Sequence, residues 1–263
     1  MASIPVKVAE RLVAGIKRFQ PILEAAKARD VNESDTVIIV TDMLSEVFGY
    51  DKYSEITSEY VIRGTYVDLA IKLDNSLQML IEVKAIDSDL KESYVKQAVD
   101  YAVNQGVEWV TLTNGIIWRV YRVTFSQPVG QDLVIEIDFL KLSHRNSDDI
   151  ESLYLLTREG LAKAVLGEYH AQRQALSRFF IGAMVLADPV VDVIRRELRR
   201  VSPDVKIDSE QIRDVLIAEV IKREVVEGDK ADEARKKITR AVNKALRKSE
   251  KESDDVKTDV APD

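Results

Sequence analysis

The chain contains no cysteine, two histidines, ten glycines and six prolines in 263 residues. Without cysteine there is no disulfide framework, no thiol nucleophile and no Cys-ligated zinc. A Ser-His-Asp mechanism would have to use His144 or His170, which lie in polar segments expected to be exposed. No glycine is followed by lysine, so there is no Walker A loop and no built-in ATP motor. There is no signal peptide and no apolar run of about 18 residues, the length that would suggest a membrane span. These absences point to a soluble, cytoplasmic chain without a membrane partner. A net charge of −7 argues against a surface coated in positive charge for nucleic acid, but leaves room for a local basic groove.

What is present falls into two parts. Residues 4–29 have helical spacing, with Val8, Leu12, Ile16, Phe19 and Leu23 on one face, Arg11 elsewhere, and Pro21 expected to kink or restart the helix. Asn32 is a good N-cap for a second helix over 33–48, closed by Gly49. An edge strand over 53–62 leads through a turn at Arg63-Gly64 into Tyr66–Ala85. That stretch reads as two alternating strands around Asp74-Asn75-Ser76. A helix over 89–105 follows, then strands 107–113 and 116–123 joined by Asn114-Gly115, a strong hairpin signal. A further strand is expected over 133–140. The order predicts an α/β domain with one mixed sheet flanked by helices. After 145 the pattern is helical throughout, with segments near 148–166, 168–186, 189–200, 209–226 and 231–248. The expected domains are an N-terminal helix (1–30), a sheet domain (31–145), a helical region (146–248) and a disordered acidic tail (249–263).

The hairpin carries the candidate chemistry. Asp68 lies on its first strand; Glu82 and Lys84, two apart, share a face of its second. Two carboxylates and an ammonium inside an apolar sheet are costly unless they pair or bind a cation. Hard Mg²⁺ takes oxygen ligands, and a lysine beside it can steady developing charge. The acid-x-Lys pattern recurs at Asp89–Lys91, Asp204–Lys206 and Asp255–Lys257, so the tripeptide alone means little. Its context leaves two readings open, a metal site or a structural ion pair. Tyr94, Gln97 and Tyr101 share one face of the following helix. Arg195, Arg196, Arg199 and Arg200 crowd one later helix, and residues 231–248 hold seven Lys/Arg against two Asp/Glu. These patches are either solvated helix faces or phosphate contacts. The stripe Ala234, Ile238, Ala241, Ala245 could serve helix packing or a dimer seam.

Four pieces in order, NESDTVIIVTDMLSEVFGYD, GTYVDLAIKLDNSLQMLIEVKA, Gln97-x-x-x-Tyr101 and LTNGIIWRVYRV, resemble the N-terminal nuclease domain of type I restriction enzyme R subunits, within the PD-(D/E)xK superfamily. The resemblance covers about residues 30–142. It implies a prokaryotic, Mg²⁺- or Mn²⁺-dependent endonuclease acting on DNA in restriction, defence or repair. RNA shares the same phosphate chemistry, and a homodimer or partner subunits are possible arrangements. By carry-over, Asp68 and Glu82 are metal ligands, Lys84 is the catalytic lysine, and Gln97 and Tyr101 lie near the active site. Glu33 matches the first-helix acid that completes the metal set, with Glu46 on the same helix as the alternative. Val67 stands where the family usually has proline. With no helicase motor, the chain looks like a stand-alone relative. The alternative is a non-catalytic nucleic-acid-binding or assembly module that keeps the fold.

Overall fold

A computed structural model describes residues 3–62, 65–125 and 127–258. The chain divides into two compact units, Met1–Tyr169 and His170–Asp263.

In the first unit, helices α1 (Val6–Ala28) and α2 (Glu33–Glu46) precede strands β1 (Ile56–Ile62), β2 (Thr65–Leu73) and β3 (Ser76–Val83). Helix α3 (Glu92–Gln105) then crosses to β4 (Trp109–Thr113), followed by β5 (Ile117–Thr124) and β6 (Gly130–Asp138). The strands form one sheet in sequence order, antiparallel except for the parallel pair β3–β4. The expected mixed sheet flanked by helices, followed by helices, is the architecture found. The Arg63-Gly64 turn lies outside the described residues.

Each sheet face has its own core. On one side Leu69, Ile71, Ile81 and Val83 meet the apolar stripes of α1 and α2; on the other Ala70, Leu80, Val110 and Leu112 meet Val95, Ala98 and Ala102 of α3. Helix α1 does not restart at Pro21 but runs unbroken to Ala28. Burying Val8, Leu12, Ile16, Phe19 and Leu23 contributes about 8–15 kcal/mol, which outweighs the roughly 3 kcal/mol cost of an internal proline. Asn32 caps α2 by accepting from Asp35 N–H, and Gly106 at φ +68° ends α3 in the left-handed conformation.

Two irregularities escape pattern reading. Asp74 and Asn75, both at positive φ, make the tight turn between β2 and β3, and the register slips between Ile71 and Lys72. Leu77 and Met79, of equal parity, therefore pack on opposite faces. Likewise Glu59, at φ +48°, interrupts β1 between Ser58 (opposite Leu69) and Tyr60 (opposite Val67). The interruption falls level with Asp68.

The expected boundary at 145 is displaced. Helices α4 (Ser147–Tyr154), α5 (Arg158–Ala162) and the start of α6 (Val165–Ala175) belong to the first unit's core through Leu153, Tyr154, Leu155, Leu161 and Leu166. Thr157, which caps α5, and Ala164 at φ +56° break the single helix expected over 148–166. His170, expected to be exposed, is buried.

The second unit holds α7 (Arg178–Val185), α8 (Asp188–Val201), α9 (Ser209–Val215), a π turn (Leu216–Val220), α10 (Arg223–Val226) and α11 (Asp229–Thr258). Asp208 and Gln211 form the expected capping box. Ala187, not Asp188, is the cap position of α8. Where a disordered tail is expected from Ser249, α11 continues as helix to Thr258. Residues 259–263 lie outside the described residues.

Candidate active site

The parallel pair β3–β4 makes its carboxyl end the natural place for a site, because crossover helix α3 leaves a crevice there. Lys84 follows β3 at that end, its N–H donating to Thr113 O of β4 at 2.8 Å. The antiparallel register, with Leu69 opposite Ile81, sets Asp68 level with Glu82. Asp68 Oδ2 accepts from Val83 N–H at 2.7 Å, which fixes the carboxylate across the strand. The Lys84 ammonium donates to Glu82 Oε1 at 2.9 Å and to Glu33 Oε2 at 3.3 Å. Its Nζ also lies 5.3 Å from the centroid of the Tyr94 ring, a cation–π contact. Three elements thus meet on one lysine: the end of β3, the first turn of α2 and the first turn of α3.

The structure therefore brings Asp68, Glu82, Lys84 and Glu33 together. It separates the two candidate acids of α2. Glu46 pairs with Arg18 at 3.0 Å, thirteen residues and roughly 20 Å along the helix from Glu33. Gln97 and Tyr101 find each other: the Gln97 amide donates to the Tyr101 hydroxyl at 2.9 Å. Among the described hydrogen bonds and ion pairs, neither reaches Asp68, Glu82 or Lys84. Tyr94, a member of the same helix face, is the α3 residue that touches the lysine. The decisive signals, the Val83 amide and the Glu33–Lys84–Tyr94 convergence, depend on long-range packing and leave no local sequence trace.

Electrostatics mark the site. Glu82 is only 6% exposed. Burial is the largest influence on both carboxyls and pushes both pKa values up. The Val83 amide and Lys84 act against this for Asp68, and Lys84 does so for Glu82, while Asp68 and Glu33 raise Glu82 and Glu33 and Glu59 raise Asp68. Burial works to lower the pKa of Lys84, but the bond to Glu82 and the fields of Glu82, Glu33 and Asp68 outweigh it, so the net shift is upward. One ammonium thus faces three carboxylates, two of them poorly solvated, an arrangement that a hard cation would relieve. Among the described residues no three acidic or imidazole groups are close enough to form a ready-made cage. The donor set fits Mg²⁺, which keeps several waters and takes one or two carboxylates, better than it fits Ca²⁺ or Zn²⁺.

At the same end of the sheet a crevice of about 470 Å³ is lined by Lys27, Ser88, Asp89, Asn114, Arg119 and Lys141, among others. Asn114 shapes its wall: its Oδ1 accepts from Ile116 and Ile117 N–H, and its amide donates to Ser88 O.

Comparison with family models now bears on this geometry. Residues 39–134 match the family described as "Type I restriction enzyme R protein N terminus". This segment is similar to the N-terminal domain of type I restriction enzyme R proteins. The match spans β1 to β5 and most of β6, and includes Asp68, Glu82, Lys84, Gln97 and Tyr101; Glu33 lies just outside it. It supports a restriction-related, nuclease-type role for this segment. Comparisons with curated proteins and with solved structures gave no match. No helix among the described residues is long and apolar enough to cross a membrane.

Proposed function

We propose that the segment of this chain similar to R protein N-terminal domains hydrolyses phosphodiester bonds of DNA with Mg²⁺ or Mn²⁺. One observation carries the reading: Asp68, Glu82 and Lys84 converge with Glu33 at the carboxyl end of β3, inside or beside the matched segment.

In this reading Asp68 and Glu82 would hold the metal, with Glu33, bonded to Lys84, beside them. The bound metal supplies a more acidic water and offsets charge on the phosphate. Asp68 is oriented by the Val83 amide before any substrate arrives. Lys84, steadied by Glu82, Glu33 and the Tyr94 ring, presents a fixed positive charge to a non-bridging phosphate oxygen. Tyr101, accepting from Gln97, keeps its own O–H to donate to the backbone of the substrate. The crevice beside Arg119 and Lys27 offers the neighbouring nucleotides a mixed donor and acceptor surface.

The test is cleavage of plasmid and linear duplex by the purified chain with Mg²⁺, with Mn²⁺ or with a chelator. Cleavage should require the metal. Asp68→Asn and Glu82→Gln should each lower the rate by about 10²-fold or more, the magnitude expected for losing a preorganised electrostatic group. Metal-independent cleavage, or full activity in the double variant, would refute the assignment. Binding without any cleavage would favour the non-catalytic module.

A further inference from the structure

The second unit carries a surface that the proposed active site does not use. Between Lys236 and Lys248 the sequence has six Lys/Arg and no Asp/Glu, in a chain whose net charge is −7. Helix α11 turns this run into a face. At 3.6 residues per turn, Lys236, Arg240, Lys244 and Lys237 fall within an arc of about 100°. All four are exposed. The opposite side of α11 is occupied: Ala231, Ala234 and Ile238 are buried within the unit. The candidate dimer stripe is thus split, with Ala234 and Ile238 packed and Ala241 and Ala245 exposed.

Two observations show that the chain does not neutralise this face itself. First, the ion pair on this part of α11 is Arg235–Asp232; among the described residues none of Lys236, Lys237, Arg240 or Lys244 pairs with a carboxylate. Second, the backbone of α11 runs on past the stripe as helix to Thr258 rather than turning back at Ser249. Lys236, Arg240 and Lys244 are spaced i, i+4, so they repel one another down the helix. An extended external anion would relieve that repulsion. From Lys236 to Lys244 the stripe is about 12 Å long, matching three to four base pairs of duplex at about 3.4 Å each.

We propose that the α11 face of Lys236, Lys237, Arg240 and Lys244 is a sequence-independent docking surface for the phosphate backbone of duplex DNA. The choice of DNA over another polyanion rests on the nuclease reading of residues 39–134. The surface supplies retention on the duplex without base readout, because lysine and arginine contacts to phosphate carry no sequence information.

The experiment uses the full chain in chelator, so binding is read without metal and without cleavage. Anisotropy of a labelled duplex of about 20 base pairs is followed from about 50 to 200 mM salt. The variant Lys236→Gln/Arg240→Gln/Lys244→Gln keeps helix-forming residues at exposed positions, and circular dichroism checks its helix content. Its log affinity should depend on log salt with a slope shallower by about 2–3, and its affinity near 100 mM salt should fall at least tenfold. Two unrelated duplex sequences should bind the parent alike. A parent that binds duplex in chelator yet cleaves nothing with Mg²⁺ would refute the nuclease reading and leave the docking surface standing, which separates failure of docking from failure of catalysis. An unchanged slope and affinity in the triple variant would overturn the proposal. So would tighter binding of the parent to phosphatidylserine-rich vesicles than to DNA, which would make the face a membrane contact.

Discussion

At the residue scale the account rests on Lys84. Its side chain is 14% exposed and faces two acids, Glu82 and Glu33, with Asp68 nearby. Asp68 and Glu82 have raised pKa values, chiefly from burial. A raised carboxyl contributes stability below its unfolded value, and that contribution is lost as pH rises through the folded value. The metal-free protein should therefore lose stability on the alkaline side of the ordinary carboxylate range. Removing the compensating ammonium deepens the loss. Lys84→Met should destabilise the protein by about 2–3 kcal/mol near pH 8, and by less at acid pH, as the carboxyls take up protons. Denaturant unfolding at alkaline and at acid pH measures this; an equal cost at both would mean that Lys84 is not coupled to these acids. Metal binding requires the ionised acids, so the acid limb of the cleavage profile should sit above the usual carboxylate range. The trio Asp68, Glu82 and Lys84 was legible from strand alternation and a turn. Choosing Glu33 over Glu46 was not, since both sit on α2 and only the assembled fold places one beside Lys84 and the other beside Arg18.

At the element scale, apolar periodicity located α1, α2 and α3 well, because their buried faces obey the 3.6 period. Polar residues that tie elements together were harder to read. Arg11 lies off the apolar stripe of α1, yet it makes a two-pronged bond to Glu159 of α5 at 2.9 and 2.7 Å. It also donates to the carbonyls of Val47 and Phe48 beyond the end of α2. Gly49, at φ +83°, lies directly against the guanidinium, where a Cβ would collide. Nearby, Tyr50 donates its buried hydroxyl to Leu156 O at 2.9 Å, and burial pushes its pKa well above the ordinary tyrosine value. Arg11→Ala should cost about 3 kcal/mol, since it strands two carbonyls and a partly buried carboxylate. Burial works to raise the pKa of Glu159, but the Arg11 bond prevails and lowers it. That part of the stability is present above the unfolded pKa and disappears as pH falls through the folded one. The cost of Arg11→Ala, read from chemical denaturation, should therefore shrink toward acid pH. A cost that is flat with pH would point to lost packing instead.

At the scale of the whole molecule, the change from strands to helices suggested a boundary near 145, but composition does not report which core a helix serves. Helices α4 to α6 deliver Ile150, Leu153, Tyr154, Leu155, Leu156, Leu161, Val165 and Leu166 to the first unit. Eight such side chains contribute about 12–24 kcal/mol of burial, more than the 5–15 kcal/mol by which a domain is usually stable. A fragment of residues 1–169 should unfold cooperatively on heating, whereas residues 1–145 should not fold. A cooperative transition in the shorter fragment, followed by circular dichroism, would contradict this partition. The second unit illustrates the opposite limit. Its capping box at Asp208 and its basic run were plain in the sequence, but the helix through 249–258 was hidden by a composition that disorder and exposed helix share.

The central claim is that Asp68 and Glu82 hold a divalent cation beside Lys84. Crystals soaked in Mn²⁺ and measured for anomalous scattering test it most directly. The account predicts one Mn²⁺ with oxygen atoms of Asp68 and Glu82 at about 2.0–2.3 Å, absent when both are changed to Asn and Gln. Crystals that take up Mn²⁺ elsewhere while Lys84 keeps its bond to Glu82, with no metal between the two acids, would contradict it and leave a structural ion pair.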